Sequence, residues 1–111
     1  MNNSLRKANI YVKNIFAGEL SEVSEGYVFK YNETYLNSKK PYPVSLTLPL
    51  QKEEFFSTTL FAFFDGLIPE GWLLNKISNK WKIPLNDRFG LLLVSCKDTI
   101  GDVNVKRCED E

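Results

Sequence analysis

Hydrophobic and polar residues alternate in the first half of the chain, and this two-residue period predicts β-strands. Residues 9–13 and 15–20 are rich in strand formers and flank the turn former Asn14, so we predict a hairpin. Residues 26–31 alternate aromatic with smaller or charged side chains, which predicts a third strand. Residues 44–50 place four apolar side chains on one side and predict a half-buried strand near the sheet edge.

From residue 56 the apolar spacing changes to three and four residues, which predicts helices. A first helix is predicted from an N-cap at Ser57 to a stop at Gly66. A second helix is predicted to start near Pro69 and to end before Pro84. Its first turn carries Glu70, where the helix dipole favours an anion. The apolar stripe of the first helix is Phe56, Leu60, Phe63, Phe64 and Leu67.

Three shorter elements complete the predicted order. Residues 32–36 predict one helical turn capped by Asn32, a third helix starts near Asn86, and residues 102–107 predict a last short strand. Strands followed by helices, without regular alternation, indicate an α+β fold. We expect a small antiparallel β-sheet of about four to five strands packed with about three to four short α-helices. The apolar face of the third helix is Phe89, Leu92, Leu93 and Cys96.

Length and composition restrict the class of protein. With 111 residues and 43% hydrophobic residues, the chain is sufficient for one small folded domain. We expect a flexible N-terminus at residues 1–8, a single domain at 9–107 and a charged tail at 108–111. The 14 basic residues balance 14 acidic ones, so direct binding of nucleic acid is not expected. No signal peptide or membrane span is recognisable, and we expect a cytoplasmic protein that is monomeric alone.

The residue types of common catalytic and metal sites are scarce. The sequence has no histidine, no Walker loop and no dinucleotide-binding glycine pattern. Cys96 and Cys108 are too few for a disulfide framework or a zinc site, and we expect free thiols. Asp65 and Glu70 are candidates for an acid–base pair, but their places at helix ends favour a structural role. We therefore expect no enzyme activity, no cofactor and no metal site.

Two small basic clusters are the other candidates for contact with nucleic acid. Because the total charge is balanced, we expect their side chains to be ordinary solvated residues. The clusters are Lys39, Lys40 and Tyr42, and Arg6, Lys7 and Lys13.

The segment FAFFDGLIPEGW, residues 61–72, ends in a tryptophan with an unusual position. On a regular helix from Pro69, Trp72 lies about 155° from the centre of the core-facing stripe, on the face of Lys76. Two interpretations remain open. Either Trp72 points outward and binds a partner, or the first turn is irregular and Trp72 folds back onto the sheet. The core-facing stripe is Leu73, Leu74, Ile77 and Trp81.

The order of these motifs resembles the N-terminal subdomain of HipA-type toxin kinases. The matching stretches over about residues 9–105 are IYVKNIFAGEL, GYVFKY, YPVSLTLPL, FFDGLIPEGW, NDRFGLLLVS and IGDV. The chain departs from that family at Ile15, because a glycine often follows the turn residue there, and we expect a different first turn. It also departs from complete HipA kinases in lacking a nucleotide loop and the catalytic and metal-binding acids of the kinase body.

A domain of this kind on its own resembles the HipS antitoxins of HipBST toxin–antitoxin modules. The resemblance implies a protein that binds and neutralises a HipT-like serine/threonine kinase toxin. It also implies a HipB-like DNA-binding protein as a second partner in a larger complex. The alternative is an N-terminal regulatory subdomain excised from a full-length HipA kinase. We expect the charged CEDE terminus to be a natural chain end, which favours the stand-alone interpretation.

The resemblance and the outward tryptophan together indicate a partner-binding turn at the kinase active site. We expect Trp72 to fill an apolar pocket and Glu70 to pair with a basic residue of the partner. Inhibition by blocking the cleft and inhibition by separating the kinase lobes both remain open. The expected contact residues are Ile68, Pro69, Glu70, Gly71, Trp72, Leu73 and Lys76. The platform expected to hold this turn rigid is formed by Phe63, Phe64, Leu67 and Leu74.

Overall fold

A five-stranded antiparallel sheet, in the order β4-β3-β2-β1-β5, organises the chain. The computed structural model describes residues 6–95 and 103–107. This architecture confirms the predicted α+β class. The strands are β1 (Lys7–Val12), β2 (Ile15–Val23), β3 (Gly26–Tyr31), β4 (Phe55–Ser57) and β5 (Val103–Arg107). The helices are α1 (Glu33–Leu36), α2 (Ala62–Asp65), α3 (Gly71–Trp81) and α4 (Arg88–Ser95).

The hairpin between β1 and β2 turns at Lys13 and Asn14. Both residues have positive φ, 51° and 70°, which is the backbone of a two-residue turn that matches the twist of its strands. Ile15 is therefore already the first residue of β2, and it pairs with Val12. The two residues before Ile15 thus complete the turn, and Ile15 itself lies in the strand.

Ordered structure begins earlier in the chain than predicted. β1 starts at Lys7, Ala8 is completely buried, and the side chain of Arg6 bonds to Glu22 and Asp87. These residues belong to the domain and not to a flexible terminus. The remaining part of that prediction, residues 1–5, lies outside the described residues, as do Cys96 and the tail at 108–111.

The core lies between one face of the sheet and the helices. Phe29 of β3 is at its centre, with its ring centroid 5.7 Å from that of Phe64 in α2 and 4.9 Å from that of Tyr31. The opposite face of the sheet carries exposed cations such as Lys30 and Lys106. None of the described helices is long and apolar enough to span a membrane. The largest fully buried side chains are Tyr31, Phe29, Phe64, Phe89, Ile10, Leu20, Leu91, Leu92 and Val105.

The strand predicted at residues 44–50 is wrong. The segment forms a tight turn, closed by a hydrogen bond of 3.0 Å from Leu48 N to the backbone carbonyl three residues earlier. Val44 and Leu48 are buried, but Leu46 is 96% exposed, so the alternating residues do not share one face. The hydroxyl of Tyr31 accepts from Val44 N (2.8 Å) and donates to the Leu48 carbonyl. This buried side chain thus bonds two backbone groups that a strand would offer to a neighbouring strand.

The helix predicted from Ser57 to Gly66 is also wrong in its first half. Ser57 belongs to β4, where it pairs with Tyr27 of β3, and α2 is a short helix that Gly66 ends as predicted. Phe56 is 55% exposed and takes no part in a helical stripe. Three residues are too few to show a two-residue period, so the long-range pairing with β3 decides the conformation of β4.

The last helix and the last strand follow the prediction closely. α4 begins at Arg88, near the expected start at Asn86, and it buries Phe89 and Leu92. β5 pairs with β1 at the edge of the sheet. The early strands, α1 and α4 therefore agree with the sequence pattern, while the segment between α1 and α2 does not.

Candidate partner-binding surface

The predicted partner-binding turn connects α2 to α3. After α2, backbone bonds run from Leu67 N to Phe64 O (3.0 Å) and from Ile68 N to Asp65 O (3.2 Å). Ile68 is only 3% exposed and belongs to the hydrophobic core. In the free protein Ile68 therefore offers almost no surface to a partner, and its contact with one stays a prediction. Its side chain packs in the core and thereby holds the loop against the domain.

A sharp change of backbone direction separates this loop from α3. Glu70 is extended (φ −119°, ψ 172°), and Gly71 follows with φ 69°, a left-handed conformation that side chains with a Cβ rarely adopt. For this reason α3 begins at Gly71. The predicted start near Pro69 is wrong by two residues. Glu70 occupies the N-cap position, yet its exposed carboxylate makes no capping hydrogen bond to the first turn.

Trp72 is exposed over 73% of its surface. Trp72 therefore points outward, and the alternative in which it folds back onto the sheet is wrong. Its binding of a partner stays a prediction. One turn further along, Lys76 places its Nζ 5.8 Å from the centre of the indole ring. The expected contact residues from Glu70 to Leu73, together with Lys76, are all exposed, while Pro69 is half-buried.

α3 lies at the periphery of the domain, and none of its eleven residues is buried. Leu74 and Ile77 are half-buried against the core, as predicted. Leu73 and Trp81 were predicted to face the core, but they remain 41% and 45% exposed. The helix packs mainly against one neighbour, α4, so only a narrow stripe of it is covered.

The predicted platform beneath the turn is present. Phe64 is completely buried, and the ring of Phe63 packs edge-on against it at 5.3 Å. Leu67 and Leu74 are half-buried against the same core. Asp65 has a structural role at the end of α2, because its Oδ1 accepts a hydrogen bond of 2.8 Å from Arg88 Nε of α4. α2 is thereby joined both to the sheet and to α4.

A second ion-pair network holds α4. Arg6 donates to Glu22 (Nε–Oε1, 2.7 Å) and to Asp87 (Nη2–Oδ1, 2.8 Å), and Asp87 Oδ1 also accepts from Gly90 N at 3.2 Å. The bonds to Glu22 and Asp87 raise the pKa of Arg6 above its ordinary value, and the bonds from Arg6 lower the pKa of Asp87. The sequence predicted a solvated cluster around Arg6, but this side chain is fully engaged within the domain.

A family model described as the HipA N-terminal domain matches residues 8–106. The chain belongs to the HipA N-terminal domain family. Its structure is similar to the N-terminal domain of HipA toxin, with a TM-score of 0.74, 31% identity and coverage of 100% of both chains. It is also similar to an uncharacterized protein of Haemophilus influenzae strain Rd, with 33% identity over 106 residues, 96% of each chain.

This HipA N-terminal domain presents one exposed surface on α3 that is both apolar and basic. We call Glu70, Trp72, Leu73, Lys76 and Lys80 the α3 surface. Sequence reasoning missed Lys80, whose Nζ lies 5.7 Å from the ring of the half-exposed Trp81. The one sequence signal that could have identified Lys80 is its position beside Trp81 in the last turn of α3. No group of three or more metal-binding side chains occurs in the part of the chain that the structure describes.

Proposed function

We propose that this HipA N-terminal domain is an antitoxin that binds and neutralises a HipT-like serine/threonine kinase toxin. The observation that carries the proposal is the 73% exposure of Trp72 at the first turn of α3. An indole ring removes roughly 200 Å² from water when it enters a pocket. At about 25 cal/mol per Å², this is on the order of 5 kcal/mol before entropic costs. Tryptophan is also strongly enriched at binding hot spots.

In the proposed complex, the turn from Pro69 to Leu73 lies at the kinase active site. Trp72 fills an apolar pocket, Glu70 pairs with a basic group, and Lys76 contacts the rim. Ile68 does not touch the kinase but supports the turn from the core, as its burial requires. A turn that is already ordered loses little conformational entropy on binding, and this favours tight association. We further propose that a HipB-like protein joins the complex and that this chain performs no catalysis.

The length of a relative supports a stand-alone role. The Haemophilus influenzae protein aligns over 96% of its own length, so this domain also occurs as a small protein without a kinase body. The second candidate function is a regulatory N-terminal subdomain of a HipA kinase. Its support is the likeness to the N-terminal domain of HipA toxin over the whole of both chains. A separate kinase reading frame beside the gene would favour the antitoxin.

A growth-rescue assay tests the proposal. A HipT-like kinase is expressed alone, with the wild-type chain, with Trp72→Ala, or with Phe56→Ala. Phe56 is a matched control because it is an exposed aromatic residue, 55% accessible, on the sheet instead of α3. We expect the wild type and Phe56→Ala to restore growth and Trp72→Ala to fail, with circular dichroism showing that both variants are folded.

The other outcomes are equally informative. If all three chains restore growth, this chain is an antitoxin but Trp72 is not its anchor. If the wild type does not restore growth, the antitoxin proposal is wrong and the regulatory subdomain is favoured. ATP hydrolysis by the isolated chain would contradict the non-catalytic role.

A further inference from the structure

A groove separate from the α3 surface lies between the β1–β2 turn and the segment that follows α1. Its volume is about 350 Å³. Val12 and Tyr35, which are 3% and 4% exposed, form its floor. Ile15 and Tyr42 form its walls and remain 57% and 50% exposed. The groove therefore offers apolar surface that the domain itself does not cover.

The two walls of the groove are fixed by backbone structure. Tyr35 Oη donates to the Tyr42 carbonyl (2.7 Å) and accepts from Tyr42 N (2.9 Å), which holds the second wall on α1. The two-residue turn at Lys13 and Asn14 holds the first wall. Lys13 Nζ lies 5.1 Å from the centre of the Tyr42 ring and links the walls. The groove exists before any ligand binds, so little ordering entropy opposes binding.

Three lysines surround this apolar groove. Lys13, Lys39 and Lys40 line it, and no carboxylate is among its lining residues. The sequence pattern placed Lys13 and the pair Lys39–Lys40 in different clusters and predicted ordinary solvated side chains. The fold instead brings them to the rim of one groove. Such a concentration of positive charge attracts a negatively charged ligand.

We propose that this groove binds a short acidic segment of a protein partner, with one aliphatic side chain between Ile15 and Tyr42. The carboxylates of the segment would contact Lys39 and Lys40. Charge complementarity selects the acidic residues, and the apolar walls select the aliphatic one. A nucleic-acid backbone would use the lysines but would leave Ile15 without an apolar partner. The groove shares no residue with the α3 surface, so the proposal is independent of kinase inhibition.

The experiment is a titration of the isotope-labelled protein, followed by amide NMR. The probe is a synthetic acetylated peptide with one leucine flanked on both sides by acidic residues. We expect shifts at Ile15, Lys39 and Tyr42 and an affinity that falls as salt rises. Lys39→Glu/Lys40→Glu should weaken binding by at least about tenfold. Lys52→Glu/Lys106→Glu makes the same charge change at exposed sites outside the groove. This variant should weaken peptide binding by less than about twofold.

A second variant tests the apolar part of the site. Ile15→Ser changes an exposed side chain. Its affinity for the leucine peptide should fall to the affinity that the wild-type protein has for a peptide with alanine in place of the leucine. The proposal is overturned if the peptide does not bind, if shifts map elsewhere, or if both lysine variants lose affinity equally. It is also overturned if Ile15→Ser has no effect, or if a thymidine oligonucleotide binds the same residues more tightly than the peptide.

Discussion

The ammonium group of Lys76 lies 5.8 Å from the centre of the Trp72 ring, one helical turn further along α3. Residues four apart on a helix are neighbours, and a cation near an aromatic ring is attracted to its face. This contact favours one orientation of an indole that is otherwise 73% exposed. Trp72 is thus displayed on the surface in a partly ordered state, which suits an anchor for a partner.

Removing the Trp72 side chain should leave the fold intact. Because the ring is exposed, we expect Trp72→Ala to change the free energy of unfolding by less than about 0.5 kcal/mol. Phe64→Ala, in the completely buried platform, should lose about 3–5 kcal/mol. Urea unfolding followed by circular dichroism measures both. A loss above about 1 kcal/mol in Trp72→Ala would mean that the ring packs against the domain in solution.

Gly71 should be replaceable by asparagine more easily than by alanine. Its φ is 69°, and a Cβ there would have no atom within 4 Å apart from its chain neighbours and the backbone of its own helix, so the cost is backbone strain and not a clash. We expect Gly71→Ala to lose about 1–2 kcal/mol. Gly71→Asn should lose less, because asparagine tolerates the left-handed conformation.

The same pair of variants tests the orientation of the turn. If the proposed function is right, Gly71→Ala should weaken kinase binding and Gly71→Asn should largely retain it, measured by calorimetry with the cognate kinase. Equal unfolding free energies for the two variants would show that the left-handed turn is not maintained in solution.

The sequence predicts best where neighbouring residues along the chain decide the structure. The β1–β2 hairpin follows from local strand propensity and turn formation at Asn14, and the cap of α1 follows from Asn32, whose Oδ1 accepts from Tyr35 N at 3.1 Å. The outward direction of Trp72 agrees with the helical repeat, although α3 begins at Gly71 and not at Pro69.

Prediction fails where distant residues decide the structure. The segment at 44–50 alternates like a strand, but the hydroxyl of Tyr31 holds it as a turn. Arg6 reaches across the fold to Asp87, and no local pattern marks that pair. Ile68 was placed in the binding turn because the sequence shows that it is near Trp72 but does not show that it enters the core.

The hydroxyl of Tyr31 should therefore have a measurable effect on this turn. Tyr31→Phe removes the bonds to Val44 N and to the Leu48 carbonyl, and leaving these buried groups unpaired should cost about 1–3 kcal/mol. Hydrogen exchange at the Val44 amide should become faster. Tyr42→Phe, at an exposed ring, is the control and should change neither quantity. An unchanged exchange rate in Tyr31→Phe would show that other contacts hold the turn.

The burial of Tyr31 also leads us to predict a loss of stability in alkali. Burial raises the pKa of Tyr31 above its ordinary value of 10.0. A raised pKa in the folded state means that this contribution is complete below pH 10 and is lost as the pH rises through the higher folded value. The free energy of unfolding of the wild type should fall above pH 10, and that of Tyr31→Phe should fall less steeply. Parallel curves would contradict this assignment.

Asp87 should govern stability in acid. Its hydrogen bonds from Arg6 lower its pKa below the ordinary value of 3.8. A lowered pKa means that the stabilisation is present above pH 3.8 and is lost as the pH falls through the folded value. We expect Asp87→Asn to lose only about 1 kcal/mol at neutral pH, since solvent screens this partly exposed pair and asparagine still caps α4.

The decisive quantity is the slope of unfolding free energy against pH. Below pH 4, the slope should be flatter in Asp87→Asn than in the wild type, because the variant has no proton to take up at this position. Glu25→Gln, which removes one carboxylate at an exposed residue, is the control. Equal slopes in all three proteins would mean that Arg6 and Asp87 do not stay paired in solution. In that case the orientation of α4, against which α3 packs, must depend on apolar contacts instead.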